Sequence, residues 1–529
     1  MVTTTSTVPT SEETAPKVEK KAKLNKFEKY KAEKDGLAVK DEIEKFAEMG
    51  WEAIDKTDLT GRLKWLGVFY REVTPGKFML RLRMPHGVLS SHKMRVLAEI
   101  VQQYGDDGCA DITTRQNLQL RGVRLEDIPN IFKRFEKSGI TSIQSGMDNV
   151  RNITGSPVAG IAASELIDTQ GLVMKVQDMI TNNSEGNPAF TNLPRKFNIA
   201  LEGSREDSIH SEINDIAFIP AFRDGEEGGE VGFNVLVGGF FSARRCDSAI
   251  PFNVWVPADD TVVEICRAIL SVFRDNGSRG NRQQTRLMWL IEEMGLESFR
   301  AAVEKEMGQT LLPAAPEDAI TDEGKSDHLG VHPQKQPGLN YVGLHVPVGH
   351  IYADDMFEFA RIAEVYGNGE IRLTVEQNLI IPNIPDSRLD AFLQEAPVKK
   401  FSIEPSTLVR TQVSCTGSRF CNFALIETKQ RAHALAQKLD EQLNVPEYVR
   451  MHWTGCPNSC GQPQVADIGF MGTKARKDGK SVEAVDIYMG GRVGKHAQLG
   501  ERVMKGVPCE DLEGVLTDLL TEKFGATAK

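Results

Sequence analysis

Four cysteines in the last quarter of the 529-residue chain, Cys415, Cys421, Cys456 and Cys460, are spaced for metal chemistry. They fall as C-x5-C and C-x3-C, with 34 residues between the two pairs. Four thiolates meet the needs of a cubane iron–sulfur cluster, because soft sulfur suits iron and each iron takes one ligand. Zinc also accepts four cysteines, but its knuckles usually read C-x2-4-C and only the second pair fits that. A packing role is open to any free cysteine. A disulfide framework does not suit a long chain with 8 Cys and no secretory signal. Gly455, Pro457 and Gly461 flank the second pair and favour a turn wrapped closely about a ligand. The iron–sulfur reading therefore leads, with zinc and inert packing left open. Cys109, Cys246, Cys266 and Cys509 stand singly and read as packing residues.

A second set of residues is basic. Leu80-Arg-Leu-Arg-Met84 places Arg81 and Arg83 on one face of a strand, since side chains alternate with period two. Arg115 and Arg121 flank Gln116-Asn117, and Arg151 and Lys196 lie further on. A solvated edge strand would look similar for any one of them. Gathered together they would repel unless an anion lay between them, and guanidinium forks match carboxylates bidentately. Arg274–Arg286 is another basic stretch that could bind a cofactor, but it reads first as a solvated helix entrance. There is no G-x-G-x-x-G between a strand and a helix and no P-loop, so electrons must come from a separate carrier.

The elements that must position these residues occur twice. Phe78–Tyr104 reads as strand, turn and amphipathic helix, and Tyr341–Tyr366 repeats it. A strand–turn–strand follows each, and Gln116-Asn117 and Gln377-Asn378 are related by a shift of 261. Helices are expected over about Glu126–Lys137 and about Ser387–Glu395, which gives most of a ferredoxin-like unit in each copy. Downstream, Asn214-Asp215 echoes Ala466-Asp467 and Gly238-Gly239 echoes Gly490-Gly491, both with a shift of 252. The expected fold is α/β (α+β): a tandem pseudo-two-fold repeat of ferredoxin-like half-units with two mixed α/β domains around a central cofactor site. The second copy keeps the cysteines and the first carries the cations.

Composition agrees with a large enzyme of several domains, at 40% hydrophobic and 26% charged residues. A net charge of −11 argues against bulk nucleic-acid binding, and no apolar run approaches the length of a membrane span. Residues 2–16 are rich in Thr, Ser and Pro, and 17–34 in Lys and Glu. No apolar signal core precedes them, and the first arginine is Arg62, so a disordered arm over 1–36 and a cytoplasmic location are expected.

The paired cysteine segments, Arg115-Gln-Asn117 and the doubled half-units resemble the sirohaem nitrite and sulfite reductases, with the closest likeness to the ferredoxin-dependent nitrite reductases of cyanobacteria and plastids. The likeness runs from about Leu37 to about Phe524. It implies a [4Fe–4S] cluster on Cys415, Cys421, Cys456 and Cys460, with Cys460 shared as axial ligand to a sirohaem. It implies further that Arg81, Arg151, Lys196 and Asn198 surround the substrate anion, and that Arg83, Arg115, Asn117 and Arg121 serve the carboxylates of the tetrapyrrole. Sulfite reductases typically carry Lys-x-Lys where Lys196 and Asn198 stand here. An amide in place of a cation suits a monoanion, so nitrite is favoured over sulfite. The expected organisation is an arm (1–36), a first half-unit (37–140), a first sirohaem and substrate domain (141–337), a second half-unit (338–400) and an iron–sulfur domain (401–529). The expected activity is six-electron reduction of nitrite to ammonium by a monomer, with reduced ferredoxin, or flavodoxin in its place, as donor. Assimilatory sulfite reduction is the alternative, and a non-catalytic electron-transfer or zinc-binding subunit is the reading from another class. Lys474, Arg476, Lys477 and Lys480 are candidates for the donor's docking patch.

Overall fold

The computed structural model describes residues 24–225, 227–321 and 327–529. Two five-stranded sheets carry the half-units. The first runs in the order Val68–Phe69, Phe78–Arg81, Leu118–Val123, Cys109–Ile112 and His350–Ile351. The second runs Gly330–Pro333, Leu339–Leu344, Leu379–Pro385, Glu370–Leu373 and Val88–Ser90. Each sheet thus ends on a short strand lent by the other half. His350 and Ile351 pair with Asp111 and Ala110, while Val88, Leu89 and Ser90 pair with Arg372, Ile371 and Glu370. Both lent strands follow tight turns whose glycines, Gly87 (φ +73) and Gly349 (φ +66), lie in the left-handed region that side chains avoid.

Each lent strand runs straight into a helix, Ser91–Gln102 in the first half and Ala353–Tyr366 in the second. Ser90 caps the first of these, its hydroxyl accepting from Lys93 N at 3.2 Å. Met94, Leu97, Ala98 and Val101 form its apolar stripe and share one continuous core with Met356, Phe359, Ala360 and Ala363 of its counterpart. The two half-units therefore do not have separate cores.

The other two sheets also repeat. A six-stranded sheet orders Leu312–Pro313, Ile250–Pro257, Val231–Val237, Ile216–Phe222, Ile199–Leu201 and Thr154–Gly155. A five-stranded sheet orders Gln412–Ser414, Met451–Thr454, Ile468–Lys477, Lys480–Met489 and Glu501–Pro508. In both, three strands at one edge are parallel and the rest antiparallel. Helices Gln170–Thr181 and Thr261–Asn276 cover the first, and Lys429–Gln442 and Leu512–Phe524 cover the second. The sequence echo at Asp215 and Asp467 has a shared cause. Each carboxylate accepts from the backbone N of the preceding parallel segment, Asn198 and Arg450 respectively, at 2.8 Å in both copies. The mixed α/β repeat expected from the sequence is the fold observed.

Two expectations need correction. The arm expected to be disordered over 1–36 is folded from residue 24. Helix Lys26–Glu33 is capped by Asn25, and Lys31 reaches Asp148 at 3.1 Å and the carbonyl of Leu193 at 3.0 Å. Its charges resemble a solvated run in sequence but meet buried partners; residues 1–23 lie outside those described. The Arg274–Arg286 stretch is likewise not a solvated entrance. Arg282 grips Asp148 with both nitrogens, and Arg286, 3% exposed, is paired with Asp215 at 2.5 Å. Among the described residues no helix is long and apolar enough to cross a membrane.

Candidate active site

A cavity opens where the first half-unit faces the cysteine-bearing sheet. Cys415 directly follows strand Gln412–Ser414, and Cys456 and Cys460 lie on the turn after the adjacent strand Met451–Thr454. The parallel pairing of these strands brings the two cysteine segments side by side. The turn is as tight as its glycines suggest: a Cβ on Gly461 would stand 2.0 Å from the carbonyl of Trp453. Two N–H groups already point at sulfur, Gly455 N to Cys415 at 3.1 Å and Asn458 Nδ2 to Cys456 at 3.4 Å. Such bonds favour thiolates, the form a metal takes, against burial that pushes the free Cys456 thiol up to about 12. Among the described residues no three His, Cys, Asp or Glu side chains converge on a single-ion position. All four cysteines line one shared cavity, as the ligands of one cluster must.

The facing wall is basic. Arg81, Arg115, Arg121, Arg151 and Lys196 line the same cavity, with Asn117 and Asn198 among them. Among the described residues, only Arg121 of these cations has a carboxylate partner, Asp111 at 2.9 Å. Its guanidinium also donates to Thr416 Oγ1 at 2.5 Å, tying the cation strand to the loop that follows Cys415. Arg115 is spent on carbonyls of Asn152 and Ile199 and on Asn214 Oδ1, and Asn117 on the carbonyl of Leu82, so both brace the wall they line. Arg81, Arg151 and Lys196 have no ion pair among the described residues. Burial, then the neighbouring Arg71, brings Arg81 down to about 10. Burial, then Arg286, brings Lys196 to about 7, and burial with Arg81 and Arg195 drives Arg151 well below its ordinary value. Desolvated cations that repel one another without an anion define a polyanion site. A tetrapyrrole bearing many carboxylates fits that wall.

Arg83 does not join the set. The strand ends at Arg81, and Arg83 N pairs across to Thr141 O at 2.8 Å. Its guanidinium is buried against Gln177 Oε1 and the carbonyls of Gln144, Val150 and Arg151, away from the cavity. Arg71, Gln377, Lys429, Asn458 and Gln462 also line the cavity, outside the sets that spacing marks in the sequence. Only Gln377 left a readable trace, as the repeat of Gln116. Gln116 brackets Gly155 through N and O, and Gln377 brackets Ser414 in the same way.

Family models agree with this architecture. The nitrite and sulphite reductase 4Fe-4S domain matches residues 146–311 and 406–521, and the nitrite/sulfite reductase ferredoxin-like half domain matches 70–138 and 332–396. The chain belongs to the nitrite and sulfite reductase family. Within that family, a ferredoxin–nitrite reductase of Leptolyngbya laminosa is 64% identical over 96% of this chain and 98% of its own length. A chloroplastic ferredoxin–nitrite reductase of Zea mays is 52% identical over 96% of this chain and 91% of its own. The solved structure of the Mycobacterium tuberculosis NirA protein superposes with a TM-score of 0.85 at 32% identity, covering 94% of both chains.

Proposed function

We propose that this chain reduces nitrite to ammonium, taking electrons singly from reduced ferredoxin. The observation that carries the proposal is one cavity with four cysteines on one wall and unpaired Arg81, Arg151 and Lys196 on the other. Cys415, Cys421, Cys456 and Cys460 would hold a [4Fe–4S] cluster, and the basic wall with Cys460 would hold a sirohaem. When bound, these groups supply one-electron transfer and an iron site for the anion. Arg81 and Arg151 neutralise the incoming anion and draw charge from its N–O bonds. Lys196, whose ammonium is destabilised by burial, gives up a proton readily as oxygen leaves as water. Asn198 orients the substrate by hydrogen bonding, and as an amide beside a single lysine it supports nitrite over the sulfite dianion. A monomer working in the cytoplasm completes the proposal.

The donor approaches the cluster. Lys474 and Lys477 are poor anchors, since Lys474 stands opposite Glu483 in the hairpin and Lys477 pairs with Glu510 and Asp511. Phe423 (63% exposed) and Leu425, just after Cys421, with Arg419 before it set over the Phe420 ring, offer a better docking patch for a small acidic protein such as ferredoxin or flavodoxin.

An absorption spectrum of anaerobically purified protein, followed by nitrite and sulfite titration of the reduced form, tests the proposal. A sirohaem spectrum that responds at lower nitrite than sulfite concentration is expected. A colourless, zinc-containing protein would remove the enzyme reading. A preference for sulfite would move the chain to the sister activity.

A further inference from the structure

One contact between the two copies joins positions that the repeat makes equivalent. His210 Nδ1 lies 3.2 Å from Gln462 Oε1, across a separation of 252 residues. That separation is also the shift relating the copies, so His210 and Gln462 are equivalent positions in contact. Both keep the same uncommon left-handed backbone, at φ 54° and 58°. Their chemistry has diverged. Gln462 lines the cavity two residues after Cys460, whereas His210 is buried behind it and 2% exposed.

The surroundings of His210 determine which end of the Gln462 amide faces the cavity. On its far side His210 Nε2 faces Glu376 Oε1 at 3.5 Å, and Arg450 reaches the same oxygen at 3.5 Å. Glu376 is kept anionic, at about 2; burial opposes this and the His210 and Arg450 contacts outweigh it. The other titratable groups facing His210 are Asp207, Glu212 and His452. The 3.5 Å contact has ion-pair distance without hydrogen-bond geometry, and the nearby carboxylate favours a proton on Nε2. When Nδ1 also carries one, it donates to Gln462 Oε1 and leaves both Nε2–H donors of the glutamine for the cavity. A neutral ring would accept at Nδ1 and turn the amide around. Burial opposes the charged ring, but Glu376 outweighs it, and the net upward shift favours the imidazolium. The main chain of Gln462 is fixed independently, its N–H bonded to the Ser459 carbonyl at 3.0 Å and its carbonyl accepting from His452 Nδ1 at 3.1 Å.

We infer that Gln462 is a further hydrogen-bond donor to the anionic groups held in the cavity, and that His210, beside the Glu376 carboxylate, is the positioning residue that turns its amide N–H-first. This inference rests on the proposed function, and its test keeps the two apart. Wild type, Gln462→Leu, His210→Leu and His210→Asn are purified as holoproteins. Iron content, the sirohaem absorption band and the nitrite concentration at half-maximal spectral change are measured for each. The asparagine amide N–H can stand where Nδ1–H stood. Gln462→Leu and His210→Leu are expected to shift the band and to raise the half-saturating nitrite concentration about 10-fold, the scale of one hydrogen bond to a charged group. His210→Asn is expected to stay within about 3-fold of wild type, since it keeps that donor. A normal band and affinity in Gln462→Leu overturns the inference even if His210→Leu does not fold. Asparagine as defective as leucine removes the positioning role. A wild type without a tetrapyrrole spectrum instead defeats the functional proposal.

Discussion

Arg81 and Arg83 are two residues apart and end in different surroundings, and substitution should separate them. Arg83→Met strands three buried carbonyls and a glutamine oxygen, so a loss of about 3 kcal/mol or more is expected in urea unfolding of the apoprotein. Arg81→Met removes an unpaired, repelled cation; stability should change by less than about 1 kcal/mol while sirohaem retained per chain falls. Lys196 carries the expected pH dependence. Its ammonium is held at about 7, so it is charged below that pH and neutral above it. Nitrite affinity, read from spectral titration, should therefore fall by up to about 10-fold per pH unit above 7, and Lys196→Gln should flatten that slope while binding more weakly at pH 6. At this scale much of the candidate site was legible in the sequence. The cysteines announce themselves because ligand spacing is a local property. Arg83 was misplaced because alternation says which face a residue takes but not where the strand stops. Gln462 was missed because an uncharged residue at the edge of a motif carries no signal until its partner, 252 positions away, is known.

Turns and strands show the same division. The repeated strand–helix–strand–strand–helix order was readable from hydrophobic period and from the Gln-Asn echo. The exchange of strands was not, since Val88–Ser90 has no local feature naming residues 370–372 as its partner. The turns that launch the exchange make their requirement testable. A Cβ on Gly87 would meet the carbonyl of Leu373 at 2.5 Å, and one on Gly349 that of Ile112 at 2.6 Å, both with positive φ. Gly87→Ala and Gly349→Ala should each cost about 2–4 kcal/mol. Because both half-units share one core, each variant should still unfold in a single transition for the half-unit pair, seen as one step in near-UV circular dichroism against urea.

At the scale of the molecule, two copies of one plan hold opposite charge environments. The position of Arg115 in the cavity wall corresponds, by the shift of 261, to Glu376 in a buried ion cluster with His210 and Arg450. At these equivalent positions the first copy leaves a cation without a carboxylate among the described residues, and the second holds a paired carboxylate. The shared core predicts that residues 24–321 and 327–529 expressed alone should fail to give sharp thermal transitions, and that co-expression should restore one; a cooperative transition from either half alone would contradict it. The lent strands also impose an order on synthesis. Strand Cys109–Ile112 leaves the ribosome long before its edge partner His350–Ile351, about 240 residues later. At ~5–20 residues per second that is ~12–50 s during which the nascent first sheet carries a bare edge. An exposed β-edge is a template for pairing with a neighbouring chain. On a crowded polysome, the exchange that welds the finished halves together is therefore the step most open to misassembly and to chaperone control.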